Sequence, residues 1–333
     1  ILMMSKKSSS ESSSIPSSSR IFIAGHNGMV GSALYRAFQK RGYKNLIGIS
    51  SKKLDLRNQA KVRKFFKKEK PEYVLLAAAK VGGIFSNNTY RADFIYSNIQ
   101  IQNNLIYYSY LNNVKKLMFL GSSCIYPKDC AQPIKEEDLL SGYLEPTNEP
   151  YAIAKISGIK MCESFNVQRG TNYISVTPTN LYGPNDNYDL ETCHVLPALL
   201  KKIHNGKLNN KPSIKIWGTG KVFREFLHVD DLASACLHIM ENLDASKMLS
   251  MKISHINVGY GKEISIIELA NLIKKIVRYE GDFVFDPSMP DGTLKKKLDC
   301  SRLKTLGWEP SINLEKGIKS TYKQVLKNDN LID

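Results

Sequence analysis

The sequence has few of the features that mark membrane-spanning, disulfide-rich or zinc-binding proteins. Its six cysteines among 333 residues include no Cys-x-x-Cys pair, so neither a disulfide framework nor a zinc ribbon is indicated. The longest apolar run, Tyr73 to Ala79, falls far short of the roughly 20 residues that span a bilayer. We therefore expect a cytoplasmic protein with reduced cysteines, no transmembrane helix, no membrane partner and no metal.

Acidic residues are also scarce relative to basic ones. The chain has 47 Lys and Arg against 31 Asp and Glu, which gives a net charge of +16. Such a balance attracts anions, whether nucleic acid, a membrane surface or phosphorylated small molecules. Ten of the first 19 residues are serine, so we expect residues 1–19 to form a disordered tail.

From Arg20 onward, short apolar runs alternate with longer stretches of helical period. This pattern predicts an α/β fold of the Rossmann type, a doubly wound parallel sheet, with a smaller C-terminal α/β domain. We expect a cofactor domain over 20–180, to which parts of 213–262 return, and a second domain mainly over 181–333. The predicted strands are Arg20–Ala24, Asn45–Ser50, Tyr73–Ala78, Lys115–Gly121 and Tyr173–Thr177, and the predicted helices are Met29–Arg41, Asn58–Lys68, Arg91–Leu111, Tyr151–Arg169 and Glu263–Val277.

A glycine-rich turn joins the first predicted strand to the first helix. Glycine has no Cβ, so backbone N–H groups and the helix N-terminus can approach a pyrophosphate at such a junction. The Gly-x-x-Gly-x-x-Gly spacing resembles that of extended short-chain dehydrogenase/reductases. The predicted cofactor contacts in this turn are Gly25, Asn27, Gly28, Met29, Val30 and Gly31.

The end of the second strand usually separates NAD from NADP, because an acidic residue there binds the ribose 2′-hydroxyl of NAD. Here the chain reads Ser50, Ser51, Lys52, Lys53, which offers hydroxyls and cations to a 2′-phosphate. NADP(H) is therefore the predicted cofactor, although a solvated basic turn would give the same residues.

Tyr151 and Lys155 have the Tyr-x-x-x-Lys spacing, which places a phenol and an ammonium on one face of a helix. A nearby cation favours the phenolate, so we expect a lowered pKa for Tyr151. Ser122 follows the fourth strand, at the edge of a parallel sheet where ligands bind, and its hydroxyl can polarise a carbonyl. Together these three residues predict a hydride-transfer site.

The chain resembles the GDP-L-fucose synthase family from about Arg20 to its C-terminus. These enzymes are NADPH-dependent 3,5-epimerases and 4-reductases acting on GDP-4-keto-6-deoxy-D-mannose. The most specific match combines Ser122-Ser123-Cys124-Ile125-Tyr126-Pro127 with Cys193-His194-Val195-Leu196-Pro197. Further matching segments are Arg20–Gly31, Leu76–Asn88, Glu145–Lys155, Thr177–Asn187 and Arg224–Asp231.

The resemblance implies a role for each matching residue. Inversion at carbons 3 and 5 needs a base and an acid beside the sugar, and the implied pair is Cys124 and His194. In the reduction, Tyr151 donates the proton, Ser122 binds the keto oxygen, and Lys155 tunes Tyr151 and holds the nicotinamide ribose. Additional implied cofactor contacts are Asp55, Leu56, Pro178, Asn180, Leu181 and His194.

The resemblance also implies a pocket for the GDP-sugar and a homodimer. The implied pocket residues are Lys202, Trp217, Arg224 and Asp291. Two of them have plainer interpretations, since Trp217 could fill the domain core and Arg224 could pair with Glu225 at the surface. In the homodimers of the family, the helices matching Arg91–Leu111 and Tyr151–Arg169 form the interface.

Other functions remain open at this point. A 4,6-dehydratase would have an Asp-Glu pair where Cys124-Ile125 stands, and a simple 4-epimerase has no need of Cys124 and His194. A non-catalytic NADP-binding regulator is a further alternative. Nucleic-acid binding is disfavoured, because lysine runs such as Lys61–Lys70 and Lys295–Lys297 are dispersed, lack interleaved aromatics and resemble solvated faces.

Overall fold

The computed structural model describes residues 15–289 and 291–327. Its first five strands alternate with helices, as the hydrophobic pattern predicts. The strands are β1 (Arg20–Ala24), β2 (Asn45–Ile47), β3 (Tyr73–Leu76), β4 (Lys116–Leu120), β5 (Tyr173–Pro178), β6 (Asn180–Tyr182), β7 (Ser213–Trp217), β8 (Phe223–His228), β9 (Ile256–Val258), β10 (Glu263–Ser265), β11 (Asp282–Asp286) and β12 (Lys295–Lys296).

The helices begin and end at local signals in the sequence. Asn58 caps its helix by accepting from the Lys61 N–H, and Gly42 ends the first helix at a φ of 105°. The helices are α1 (Met29–Arg41), α2 (Gln59–Glu69), α3 (Ile84–Thr89), α4 (Arg91–Leu111), α5 (Glu149–Arg169), α6 (Val195–Leu208), α7 (Val229–Asn242), α8 (Ala245–Ser250), α9 (Ile266–Val277), α10 (Ser301–Thr305) and α11 (Leu314–Lys327). None of these described helices is long and apolar enough to cross a membrane.

The main sheet has six parallel strands in the order β2-β1-β3-β4-β5-β9. Every residue of β3, β4 and β5 is buried, because helices cover both faces of the sheet. This is the expected Rossmann-type architecture. Its C-terminal strand ends lie along one edge, where an open parallel sheet binds its ligands.

The C-terminal region forms a second core. There β8 pairs with β10, β12 and β6, while β7 and β11 form a separate parallel pair. Residues 263–265, which the pattern assigns to a helix, are instead the strand β10. The helix α9 starts only after Ser265, whose side chain forms a capping box with Glu268.

Two segments outside 20–180 pack on the main sheet. Helix α7 contacts α1, and β9 adds the sixth strand. Of the expected tail, residues 1–14 lie outside the described residues, and 15–19 join the folded body. Ile15 is buried in the core beside the sheet, and the Ser17 carbonyl accepts from the Lys44 N–H at 3.1 Å.

Candidate functional site

Two cavities meet beside the C-terminal strand ends of the main sheet. One, the sheet-edge cavity, has a volume of about 870 Å³ and follows the ends of β1, β3, β4 and β5. The other, the interdomain cavity, has a volume of about 400 Å³ and lies between that edge and the elements α6, β7 and β8. The implied cofactor contacts all line the first cavity, and the four implied sugar-nucleotide contacts all line the second.

The glycine turn after β1 forms one wall of the sheet-edge cavity. A Cβ on Gly31 would lie 2.0 Å from the Gly25 carbonyl oxygen, and a Cβ on Gly25 would lie 2.8 Å from the Ala78 nitrogen. The N-cap residue of α1 is Gly28, which has no side chain. No N-cap side chain therefore accepts a hydrogen bond from the first N–H groups of the helix. The glycine turn therefore suits a pyrophosphate, which those N–H groups can bind.

The turn after β2 places its polar side chains on the same cavity. Ser50, Ser51 and Lys52 line it, and the Ser50 carbonyl accepts from the N–H groups of residues 53 and 54 at 3.0 and 2.9 Å. The exposed Lys52 can reach an anion there. Arg57, which no sequence motif singles out, also lines the cavity and forms a 2.9 Å ion pair with Asp55.

A small group of residues lines both cavities and marks the point where two ligands would meet. Cys124 lines only the interdomain cavity, and Lys155 lines only the sheet-edge cavity. The shared residues are Gly82, Ser122, Ser123, Tyr151, Asn180, Leu181, Cys193 and His194. The predicted hydride-transfer residues and the predicted acid–base pair thus surround one junction.

Lys155 and Tyr151 lie one helical turn apart on α5. The Lys155 Nζ donates to the Leu120 carbonyl at 2.8 Å and lies 5.7 Å from the centre of the Tyr151 ring. Burial lowers the pKa of Lys155 to about 8. The expected lowering of the Tyr151 pKa is wrong, because burial raises it well above the usual value, even though a hydrogen bond with Ser122 opposes the rise.

Cys124 lies on a 3-10 turn, Ser123–Ile125, that follows β4. The Ser122 side chain accepts from the Cys124 N–H at 3.4 Å and closes this turn. Burial raises the pKa of the Cys124 thiol, while the positive charges of Lys296 and Lys155 and a hydrogen bond with Ser122 act against that rise. The Ser122 hydroxyl therefore lies near both the Cys124 thiol and the phenol of Tyr151, and it acts on the pKa of each.

His194 precedes α6 as its N-cap residue and lines both cavities, and Cys124 lines the interdomain cavity with it. The His194 side chain is exposed to the cavity, yet the surrounding protein desolvates its imidazole, and this desolvation lowers its pKa. The residue before it, Cys193, has its pKa raised to about 11 by burial. The His194 imidazole and the Cys124 thiol are thus both neutral near pH 7, and each can exchange a proton with a ligand in the cavity.

Lys202 and Trp217 form a cation–aromatic pair on the wall of the interdomain cavity. The Lys202 Nζ lies 4.8 Å from the Trp217 ring centre, and Trp217 is 44% exposed. The tryptophan therefore does not fill the domain core. A flat ring beside a cation suits a nucleotide base next to a phosphate.

Arg224 lies on β8 with its guanidinium turned into the interdomain cavity. It donates to the carbonyls of Phe223, Thr293 and Asp291 at 2.6–2.9 Å, and burial lowers its pKa to about 10. Glu225 is fully buried and accepts instead from the N–H groups of Gly261 and Leu298. The surface ion pair between Arg224 and Glu225 is therefore excluded.

Asp291 contributes to the cavity wall through the turn that it holds. Its two carboxylate oxygens accept from the N–H and the hydroxyl of Thr219, both at 2.8 Å. This contact fixes the turn after Trp217. No group of three or more His, Cys, Asp or Glu within the described ranges has the geometry of a metal site.

One charged group of this cavity is not predicted by the sequence. Lys296, which the dispersed lysine pattern places with its neighbours on a solvated face, lines the interdomain cavity, and desolvation lowers its pKa. Its strand β12 pairs with β8, so Lys296 lies opposite Arg224. In a strand, adjacent side chains point to opposite faces, so only one of Lys295 and Lys296 can face the cavity. The local sequence does not show that β12 lies beside β8, and so it does not predict which lysine this is.

Known proteins resemble this chain over nearly its whole length. Residues 21–259 match the NAD dependent epimerase/dehydratase family. The chain is 52% identical over 311 residues to GDP-L-fucose synthase 1 of Arabidopsis thaliana, covering 93% of this chain and 94% of that protein. It is 53% identical over 314 residues to GDP-L-fucose synthase of Escherichia coli (strain K12), covering 94% and 98%.

Solved structures give the same result. A GDP-L-fucose synthetase from Naegleria fowleri bound to NADP superposes with a TM-score of 0.85 at 29% identity, over 95% of this chain and 96% of that one. A GDP-mannoheptose C4 reductase from Campylobacter jejuni with NADP bound superposes with a TM-score of 0.86 at 46% identity, over 93% and 98%. The chain belongs to the NAD dependent epimerase/dehydratase family and, within it, to the GDP-L-fucose synthases.

Proposed function

We propose that this protein converts GDP-4-keto-6-deoxy-D-mannose to GDP-L-fucose, by inversion at carbons 3 and 5 followed by NADPH-dependent reduction at carbon 4. One observation carries the proposal. The hydride-transfer group Ser122, Tyr151 and Lys155 and the acid–base pair Cys124 and His194 surround the junction of two cavities. A reductase that inverts no carbon would need only the first group.

The sheet-edge cavity fits NADP(H). Its glycine turn leaves room for a pyrophosphate, and Ser50, Ser51 and Lys52 offer donors to a 2′-phosphate without a carboxylate among them. When bound, NADPH supplies the hydride that reduces carbon 4. The buried Lys155 holds the nicotinamide ribose and keeps a positive charge beside Tyr151.

Inversion uses the side chains of the interdomain cavity. The carbons next to a ketone are acidic, so a base can remove a proton from one face and an acid can return one to the other. Cys124 and His194, which both line the interdomain cavity, are the two groups in this role. The Ser122 hydroxyl donates to the keto oxygen, where negative charge builds up during proton removal.

The reduction step needs a proton as well as a hydride. Tyr151 provides it, because burial keeps the phenol protonated and its hydroxyl lies beside Ser122. The Ser122 hydroxyl then holds the same oxygen in both half-reactions. This sharing explains why the two groups of residues meet at one point.

Incubation of the purified protein with GDP-4-keto-6-deoxy-D-mannose and NADPH tests the proposal. We expect loss of absorbance at 340 nm and GDP-L-fucose as the product, identified by NMR. A folded protein that binds NADPH but oxidises none of it would contradict the proposal. Reduction without inversion of carbons 3 and 5 would also contradict it.

We further propose that the protein is a cytoplasmic homodimer. The helices α4 and α5 pack side by side and leave large apolar side chains exposed on their outer faces, which a second copy would cover. These exposed side chains are Tyr96, Tyr107, Leu111, Ile153 and Val167. All six cysteines are free, which suits a reducing compartment, and light scattering would measure the subunit number.

A further inference from the structure

Asn87 is a buried residue that fixes a loop at the junction of the two cavities. It lies on the short helix α3, directly after the diglycine loop formed by Gly82 and Gly83. The Asn87 Nδ2 donates to the Gly82 carbonyl at 2.6 Å and to the Gly83 carbonyl at 3.0 Å. The two N–H donors of the amide therefore match the two carbonyls of the diglycine loop.

The diglycine loop packs directly against the backbone that leads into His194. The Gly83 N–H donates to the Thr192 carbonyl at 2.9 Å. A Cβ on Gly83 would lie 2.3 Å from the Cys193 carbonyl oxygen, so a side chain there would prevent this close approach of the two backbones. The diglycine loop therefore supports the backbone immediately before His194.

Other hydrogen bonds shape the same segment, residues 185–193, farther from His194. The Asp189 carbonyl accepts from the N–H groups of Thr192 and Cys193 at 3.1 and 2.8 Å, which folds the segment onto itself. At its start, the Asn185 side chain donates to the Ser32 hydroxyl at 3.0 Å. The bond from Gly83 thus ties the end of the segment to the region of the main sheet.

We propose that Asn87 is a positioning residue, which places His194 for sugar inversion by holding the diglycine loop against Thr192 and Cys193. Cys124 follows the main-sheet strand β4, whereas His194 begins α6. Their relative position therefore depends on contacts that join these two regions, and the bond from Gly83 to Thr192 is such a contact. The inference rests on the proposed function for its substrate, but the position of His194 is a property of the protein alone.

Removal of the Asn87 amide should loosen the diglycine loop without unfolding α3. The Gly83 carbonyl would still accept from the Asn87 backbone N–H at 3.1 Å and from the Ser86 hydroxyl at 3.2 Å. A misplacement of about 1 Å can cost about 100-fold in rate, because proton transfer needs aligned groups. A small shift of His194 is therefore enough to slow inversion.

The test compares Asn87→Ala (N87A) with Thr89→Ala (T89A), a control at an exposed position of α3 that lines neither cavity. Deuterium incorporation at carbons 3 and 5 is measured in D₂O with GDP-4-keto-6-deoxy-D-mannose and without NADPH, so that only inversion contributes. We expect N87A to lose about 10–100-fold and T89A to match the wild type. Fluorescence titration with NADPH shows whether each variant is folded.

Two further variants separate positioning from a general structural role. Since Asn87 acts through His194, N87A should cause no further loss of incorporation in an H194Q background. An equal loss in both backgrounds would overturn the proposal. G83A crowds the Cys193 carbonyl from the other side, should reproduce the loss, and takes the place of N87A in this comparison if N87A does not fold.

A spectroscopic measurement on protein without substrate completes the test. The NMR resonance of the His194 imidazole, assigned by its absence in H194Q, should shift in N87A and G83A and stay unchanged in T89A. A wild-type resonance in N87A and G83A would overturn the proposal, and wild-type incorporation in both would also overturn it.

The outcomes for the two proposals are distinguishable. If the protein does not act on GDP-4-keto-6-deoxy-D-mannose, the proposed function fails, but the shift of the His194 resonance is still expected. If turnover occurs and the resonance does not depend on Asn87 or Gly83, only the present inference fails.

Discussion

The two cavities are built in different ways. The sheet-edge cavity is formed mostly by turns that directly follow strands of one parallel sheet, so most of its lining residues are close in sequence to the element that supports them. The interdomain cavity combines α6, β7, β8, β12 and the residues around Asp291. Contacts between residues far apart in sequence hold these pieces, such as Glu225 with Leu298.

The two cavities also differ in the candidate catalytic residues that line them. Lys155 lines only the sheet-edge cavity and Cys124 only the interdomain cavity, while Ser122, Tyr151 and His194 belong to both. We infer that one cavity serves reduction and the other serves inversion, with a shared hydroxyl at the junction. Substitutions on either side should therefore affect one ligand or one half-reaction more than the other.

The largest effect on the sheet-edge cavity is expected from Gly31→Ala. The new Cβ would lie 2.0 Å from the Gly25 carbonyl oxygen, so the turn must open. Overpacking of this kind costs about 1–3 kcal/mol, and we expect NADPH affinity to fall about 10–100-fold with GDP affinity unchanged. Titration of NADPH fluorescence measures the first, and calorimetry with GDP measures the second.

Gly42→Ala is the matched control for that substitution. Gly42 has a φ of 105° but no atom within 4 Å of its ideal Cβ, and it lies at the far end of α1. It should lose about 1 kcal/mol of stability and retain NADPH affinity. Equal NADPH affinity in Gly31→Ala and the wild type would exclude the turn as the pyrophosphate site.

A smaller effect on the interdomain cavity is expected from Trp217→Ala. Stacking of a base on an aromatic ring is worth about 1–3 kcal/mol, so the KM for the GDP-sugar should rise about tenfold or more while NADPH affinity stays constant. Trp308→Phe is the control, because Trp308 is buried and bonds to Ser234 away from both cavities. A change in NADPH affinity equal to the change in KM would argue against separate ligand sites.

The smallest effect is a pH dependence confined to the sheet-edge cavity. Lys155, with its pKa lowered to about 8, is charged below that pH and loses its charge above it. Asp186 lines the same cavity with its pKa raised by burial to about 7, and it becomes negative as the pH rises. Both changes disfavour an anionic cofactor, so NADPH affinity should fall a few-fold between pH 6.5 and 9.

Two variants separate these contributions. Asp186→Asn should remove the part of the decline near pH 7, and Lys155→Met should remove the part near pH 8. Fluorescence titration of NADPH across the pH range measures both. An affinity that is independent of pH in the wild type would contradict the assignment of these two groups to the cofactor cavity.

The same difference between the cavities decides what the sequence could reveal. The bounds of Met29–Arg41 and Arg91–Leu111 agree with the structure, because hydrophobic period and caps act locally. The position of Lys296 in the interdomain cavity was not predictable, since it depends on the pairing of β12 with β8. The hydrophobic pattern also predicts a helix for Glu263–Ser265, which is a strand in the structure. Its partner strand β8 lies far away in the sequence, so the local pattern does not contain this pairing.

The pKa of Tyr151 could not be predicted from the Tyr-x-x-x-Lys motif either. The Tyr-x-x-x-Lys spacing correctly places a cation near the phenol, but the motif contains no measure of burial. Burial raises the Tyr151 pKa, and only a hydrogen bond with Ser122 acts in the opposite direction. The phenol is thereby kept protonated before the reduction, which is the state from which a proton donor must start.

The separation of inversion from reduction is tested most directly by comparing Cys124→Ser and Tyr151→Phe in D₂O with GDP-4-keto-6-deoxy-D-mannose and NADPH. Mass spectrometry follows deuterium at carbons 3 and 5, and absorbance follows NADPH. We predict that Cys124→Ser loses about 10²–10⁴-fold in deuterium incorporation and forms no GDP-L-fucose, whereas Tyr151→Phe still incorporates deuterium but loses reduction by a similar factor. Equal loss of both half-reactions in both variants would contradict the separation of inversion from reduction.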